Sequence, residues 1–318
     1  MDMMVILLLA TSGLLLVPLL GGDDESDGGG VEGDIDGTFG NDTLDGTPDN
    51  ELIRGFLGDD TINGNGGLDD LRGGDGEDTI TGGDDRDVID GGAENDMLYG
   101  MGGNDTIEGD GGDDFIDAGE GNDIVRGGNG GDIILGNEGT DVLRGEGGSD
   151  DIFLWGNEGQ AYGGLDDDEL VMVTGRGILE GVAGENTFYA FANDDDAQQT
   201  VAIIDDFNRG DEIVMTIDTD DINALNEDLI VTVAEGQING IDGYNIEVAF
   251  DDPADEPADF ETARVFVYGT SLTAEEVAAA VSVDITLNAE LTVEGAQETF
   301  AMVKAGATLP AATDPGIP

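Results

Sequence analysis

The chain has no histidine and no cysteine, and it carries only nine lysines and arginines against 74 aspartates and glutamates. Without histidine, the common zinc hydrolase sites and the Ser-His-Asp arrangement are excluded. Without cysteine, so are thiol catalysis, structural disulfides and a lipid-modified cysteine anchor. The net charge of −65 argues against nucleic acid or an anionic membrane surface as partner. Few aromatics and 55 glycines complete a composition that, taken alone, describes a self-repelling low-complexity linker.

The order of the residues overturns that reading. An acidic side chain recurs at every ninth place from Asp42 through Glu51, Asp60, Asp69, Asp78, Asp87, Asp96, Asp105, Asp114, Asp123, Asp132 and Asp141 to Asp150. Two residues after each stands Leu, Ile or Val, and five residues before each stands glycine, except at Ala118. An aliphatic residue at one fixed place in every window is core patterning, which disorder does not need. The chain therefore reads as a stack of repeated units.

The window Gly100–Glu108 shows the physics. Its glycine-rich front half can take left-handed backbone angles and turn sharply. Its back half, Thr106-Ile107-Glu108, alternates out-in-out as a short strand. Two windows make a coil of 18 residues, with a strand on each side and a turn at each end. Coils about 4.8 Å apart place Asp42, Asp60, Asp78, Asp96, Asp114, Asp132 and Asp150 in one column. Glu51, Asp69, Asp87, Asp105, Asp123 and Asp141 form the opposite column. Like charges at that spacing repel by roughly 0.8 kcal/mol per neighbouring pair even in water. One thin aliphatic layer per coil cannot alone offset the chain entropy. The stack thus requires a cation, and a carboxylate with several main-chain carbonyls per turn is an all-oxygen set. Flexible oxygen ligands suit Ca²⁺ better than Mg²⁺, and zinc and copper lack their usual ligands here.

Gly73-Gly74-Asp75-Gly76-Glu77-Asp78-Thr79-Ile80-Thr81 fits G-G-x-G-x-D-x-U-x at every specified place. These windows resemble the RTX (hemolysin-type) calcium-binding nonapeptide, a repeat signature of known type. The resemblance implies an all-β protein with a parallel β-roll over residues 37–153. It implies several Ca²⁺ ions in two stacks, between turns of neighbouring coils, with the sixth-place Asp as side-chain ligand. The metal-site residues it implies are Asp42, Asp60, Asp69, Asp78, Asp87, Asp96, Asp105, Asp114, Asp123, Asp132, Asp141 and Asp150. With them go the fourth-place glycines Gly58, Gly67, Gly76, Gly103, Gly112, Gly121, Gly130, Gly139 and Gly148. Window 46–54, with Pro48, Asp49 and Glu51, departs from the pattern and is expected to hold a weak or empty site. Asp85 and Glu94 replace the fourth-place glycine and should loosen their turns.

The nine-residue register continues through 154–189, with Ala161, Leu170, Leu179 and Phe188 at the core place and Gly159, Asp168, Gly177 and Asn186 at the ligand place. These are expected to be degenerate coils, with Asp168 as an extra ligand. Ahead of the roll, residues 23–36 read as an acidic, glycine-rich linker and starting cap. Met3–Leu20 is uncharged and about 27 Å long as a helix, which fits a signal or membrane anchor within residues 1–22. Beyond 190 the chain is rich in strand-like runs such as Thr200–Ile204 and Ala263–Tyr268. Thr273 with Glu276 predicts a capping box and one short helix. Ile204–Ile213 resembles the segment that follows the last repeat in secreted RTX proteins. A smaller β-sandwich-like C-terminal cap over 190–295 follows from that likeness, and a tail from 296 to 318.

Together these features predict no enzyme. They predict an exported calcium-binding protein of the cell surface or extracellular space, whose folding is switched by millimolar Ca²⁺. The alternative is an adhesin or ligand-binding module whose C-terminal β domain contacts a glycan or protein. The stacked pairs Arg54 with Arg72 and Arg126 with Arg144 are expected to relieve acidic repulsion rather than bind a ligand.

Overall fold

The computed structural model of the chain describes residues 33–173, 175–193, 201–219, 230–238, 241–249, 262–268, 270 and 272–287. The apolar run Met3–Leu20, the linker up to residue 32, the end of the expected cap from 288 and the tail 296–318 lie outside the described residues. The N-terminal hydrophobic helix expected from that run falls there too.

The protein is mostly β and forms a parallel β-solenoid of about nine turns. Each turn contributes one strand to each of two sheets. The first sheet takes β1 (Asp34–Asp36), β3 (Leu52–Leu57), β5 (Asp70–Asp75), β7 (Val88–Ala93), β9 (Thr106–Gly111), β11 (Ile124–Asn129), β13 (Val142–Gly147), β15 (Asn157–Leu165) and β17 (Arg176–Val182). The second takes β2 (Thr43–Asp45), β4 (Thr61–Asn65), β6 (Thr79–Gly83), β8 (Met97–Met101), β10 (Phe115–Asp117), β12 (Ile133–Leu135), β14 (Asp151–Leu154), β16 (Glu169–Met172) and β18 (Thr187–Asn193).

Pairing is parallel with a register of 18 residues, as in Ile53↔Leu71 and Ile116↔Ile134. That register puts every eighth-place side chain directly over its equivalent. Ile53, Ile62, Leu71, Ile80, Ile89, Leu98, Ile107, Ile116, Val125, Ile134, Leu143 and Ile152 are all fully buried in one core. Two facing aliphatic columns therefore make up the interior, and each layer is one residue deep per strand. The degenerate windows keep the same arrangement, with Ala161, Leu170, Leu179 and Phe188 continuing the columns.

The segment after residue 190 adds its strands to the same two sheets. β19 (Val201–Asp205) and β23 (Thr262–Tyr268) extend the first sheet in parallel. β20 (Glu212–Thr219) and β24 (Val281–Leu287) extend the second in the same way. Antiparallel pairing begins only with β21 (Ile230–Ile238) and β22 (Ile241–Ala249), a hairpin that joins the first sheet through β23. Helix α1 (Ala274–Ala279) carries the capping box: Thr273 Oγ1 accepts from the Glu276 N–H, and Glu276 accepts from the Thr273 N–H.

The paired arginines lie in register on the outside of the first sheet, Arg54 over Arg72 and Arg126 over Arg144. Arg54 pairs with Asp34 and Asp36, Arg72 with Asp70, and Arg126 with Glu108 and Glu146. Arg144 lies over the Tyr162 ring at 5.1 Å. Among described residues, no helix is long and apolar enough to cross a membrane.

Candidate metal centre

The acidic side chains at the sixth place point inward at the turns, although aspartate is seldom fully buried without a partner. From Glu51 to Asp150 each is at most 3 % exposed, and Asp168 continues the series. Asp42, in the first coil, is half-buried. The register of 18 sorts them into two ladders. In one, the Asp42 N–H donates to Asp60 Oδ1 at 2.7 Å, Asp60 to Asp78, Asp78 to Asp96, and so on through Asp114, Asp132 and Asp150 to Asp168. In the other, Glu51 donates to Asp69, Asp69 to Asp87, and the series runs through Asp105 and Asp123 to Asp141. One carboxylate oxygen of each rung is thus satisfied by the coil before it.

The other oxygen is not. Oδ2 of Asp60, Asp69, Asp78, Asp105, Asp114, Asp123, Asp132, Asp141, Asp150 and Asp168 is buried with no hydrogen-bond partner. A buried carboxylate oxygen left this way costs free energy, and its repetition calls for a common explanation. This oxygen turns towards the first-place glycine of its own window. A Cβ on Gly55, Gly73, Gly127 or Gly145 would lie 2.0 to 2.2 Å from it, which accounts for glycine at that place.

The fourth-place glycines shape the turn around this oxygen. Gly58, Gly67, Gly76, Gly103, Gly112, Gly121, Gly130, Gly139 and Gly148 all have φ between +106° and +149°, which only glycine adopts readily. Each packs on the turn one coil earlier: a Cβ on Gly76 would meet the Gly58 carbonyl oxygen at 2.2 Å, and one on Gly121 the Gly103 oxygen at 1.4 Å. The carbonyl oxygens of Gly58, Gly103, Gly112, Gly121 and Gly130 accept no backbone hydrogen bond among the described residues. Glu94 holds a left-handed φ of +74° in place of glycine. Rather than hanging free, the Asp85 and Glu94 carboxylates accept from the N–H of Gly67 and Gly76 one coil earlier, at 3.3 and 2.9 Å.

Burial pushes the carboxyls well above their usual range. Those of Asp78, Asp87, Asp114, Asp123 and Asp150 are raised to about 6, those of Asp105, Asp141 and Asp168 to about 7, and that of Asp132 to about 8. Desolvation is the main cause. The accepted backbone N–H opposes it, and neighbouring carboxylates add to the rise in most rungs. Ionised ladder carboxylates are therefore disfavoured by a protein that does not by itself compensate their charge.

The first two rungs differ. Asp42 Oδ2 accepts from the Thr38 N–H at 2.6 Å and from Thr38 Oγ1 at 2.8 Å. Glu51 accepts from the Thr47 N–H and from Thr47 Oγ1. In both windows a second-place threonine occupies the oxygen that stands open elsewhere. The far end also extends beyond the nonapeptide register: the Asp168 N–H donates to Asn186 Oδ1, and the Asn186 N–H to Asp211 Oδ1, each at 3.0 Å. Counting in nines misses Asp211, because 25 residues separate it from Asn186. The signal is present in Asp211-Glu212-Ile213, which repeats the spacing of acid and aliphatic residue.

These residues fit a hard cation. The donor set is all oxygen, the open carboxylate oxygen is buried, and the glycine turns bring main-chain carbonyls beside it. No group of three or more His, Cys, Asp or Glu side chains converges on a metal position among the described residues. A bound ion must therefore draw on the main chain as well as on the ladders.

Fold and site together define a parallel β-roll with two internal carboxylate ladders. Comparison with known families adds the rest. The model of the RTX calcium-binding nonapeptide repeat matches residues 36–71, 64–98, 90–125, 99–134 and 126–159. Residues 36–159 thus carry several copies of the RTX calcium-binding nonapeptide repeat, laid out as a β-roll. Among solved structures it is similar to the extracellular lipase LipA from Serratia marcescens, with 16 % identity over 80 % of this chain and a TM-score of 0.19. The match spans 40 % of the lipase chain. No curated protein matches the chain.

Proposed function

We propose that the protein is an exported structural module whose folding is switched by calcium, with no enzymatic role. The observation that carries this reading is the row of buried, unpartnered Asp Oδ2 atoms on both ladders. The residues that would hold the ions are Asp60, Asp69, Asp78, Asp87, Asp96, Asp105, Asp114, Asp123, Asp132, Asp141, Asp150 and Asp168. The carbonyl oxygens of the glycine turns would complete each set. Asp42 and Glu51 are weaker candidates because threonine already engages them. Bound calcium would neutralise carboxylates that burial otherwise disfavours, so binding and folding become one event.

RTX repeats imply calcium binding and are typical of secreted proteins. Calcium is millimolar outside cells and scarce within, so the roll would assemble after export. Met3–Leu20 would serve as the signal or anchor. The second reading, an adhesin whose C-terminal strands contact a glycan or protein, has less support. Val267, Phe266 and Val265 of β23 are buried, and Tyr244 packs against the core. Far-ultraviolet circular dichroism of the full chain, titrated with Ca²⁺ and with Mg²⁺, tests the proposal. A gain of β signal with calcium alone supports it. No gain with calcium rejects the switch, and an equal gain with magnesium rejects the choice of ion.

A further inference from the structure

The second sheet has an apolar outer face that calcium binding does not use. In β10 and β12 the central residues Ile116 and Ile134 point into the core, so Phe115, Ile133 and Leu135 point outward. Nearer the start of this sheet, in β2, β4 and β6, the equivalent places hold threonine, asparagine and aspartate. Here Phe115 and Leu135 are nonetheless 0 % exposed and Ile133 8 %, forming a second cluster with Met97, Tyr99, Phe153 and Trp155. Neighbours within one sheet cover the flanks of a side chain and leave its top open to water. Burial this complete on an outer face means that other chain lies across it.

We propose that residues 288–318 of the same chain dock across this face and clasp the central coils from outside. The connectivity favours this segment. It leaves the fold from β24, a strand of the same sheet, and an apolar file runs from there to the patch. Ser282 pairs with Val214, Val214 with Tyr189, Tyr189 with Val171, Val171 with Phe153, and Phe153 with Leu135. From β24 to β10 is six strand steps, about 29 Å, which roughly nine extended residues span. The segment has 31 residues and contains Phe300, Met302 and Val303. The rival apolar run, Met3–Leu20, enters the fold through β1 in the opposite sheet.

Charge agrees. The next residue, Lys304, is the sole lysine of the chain. The face offers it the carboxylates of Asp117 on β10, Asp151 on β14 and Glu169 on β16. Such a clasp would act on stacked coils only, because the face exists only once the strands pair.

The lone lysine and lone tryptophan make the test direct. The full chain in millimolar calcium is treated with a zero-length carbodiimide, and the links are mapped by mass spectrometry. An intramolecular link from Lys304 to Asp117, Asp151 or Glu169 is the expected result. No link from Lys304, links only to acids of the turns, or links only between two copies would overturn the proposal. A second chain ending at Leu287 is compared by fluorescence of Trp155 and by circular dichroism. Its emission should move to longer wavelength and its quenching by acrylamide should rise, with the β signal retained. Unchanged Trp155 emission would show that another segment covers the face and would also overturn the proposal. If the shortened chain fails to fold, the cross-link in the full chain decides.

Discussion

Replacing Asp132 by asparagine separates the two roles of a ladder carboxylate, because the change keeps the acceptor and removes the charge. Asp132 is almost fully buried, its Oδ1 accepts from the Asp114 N–H at 2.8 Å, and its carboxyl is raised from 3.8 to about 8. At pH 7 and without calcium the unfolded carboxyl is ionised, whereas the folded one is held protonated. Holding that proton across the interval from 3.8 to 7 costs about 4 kcal/mol, at about 1.4 kcal/mol per pH unit. The amide escapes this cost. It also fits the ladder, since Asn186 already accepts from the Asp168 N–H at an equivalent place while almost fully buried. Burying the new NH₂ group takes back part of the gain, so a net stabilisation of about 2 kcal/mol is expected in the calcium-free protein. In calcium the sign reverses, because a ligand charge is lost and the calcium midpoint of folding moves to higher concentration. Urea unfolding followed by circular dichroism, in chelator and in millimolar calcium, reads both effects. If Asp132→Asn weakens the fold equally in the two conditions, the carboxylate acts only as a hydrogen-bond acceptor and the reasoning is wrong.

Three further outcomes rest on the same geometry. Because folded-state carboxyls from Asp78 to Asp168 titrate at about 6 to 8 rather than near 3.8, the folded state binds protons that the unfolded state has lost. Calcium-free stability should then be highest below about pH 4 and fall as pH rises towards 8, read as β signal in a chelator titration; a rise with pH contradicts it. Gly121→Ala should cost at least about 2 kcal/mol, since φ is +145° and the new Cβ would press on the Gly103 carbonyl, while Gly40→Ala, with nothing within 4 Å, should be nearly neutral in the same urea assay. Ile107→Ala removes a fully buried side chain from a core one residue deep and should cost about 2–5 kcal/mol by denaturant unfolding.

Most of the roll is legible in the sequence because its period acts three times over. The nine-residue spacing of Ile and Leu predicts two strands per coil, and those residues stand in register 18 apart. The acidic spacing predicts two columns, and the backbone bonds between rungs trace them. Other features need three dimensions. The threonines that engage Asp42 and Glu51 replace the second glycine of the repeat, a departure visible in the sequence, but their reach to the carboxylates shows only in three dimensions. Asp211 joins its ladder across an insertion that breaks the count. Phe115 and Leu135 occupy places that alternate outward, where a strand pattern expects water, and their burial depends on what crosses the sheet. The strand runs beyond 190 are visible as runs, but their pairing onto the existing sheets depends on long-range register.

Anomalous scattering from crystals grown in calcium tests the ladders most directly. Two rows of peaks about 4.8 Å apart, one along the ladder from Asp60 to Asp168 and one along that from Asp69 to Asp141, are the predicted result. A well-ordered roll with no peaks beside those carboxylates, or with peaks only on its outer surface, would contradict it.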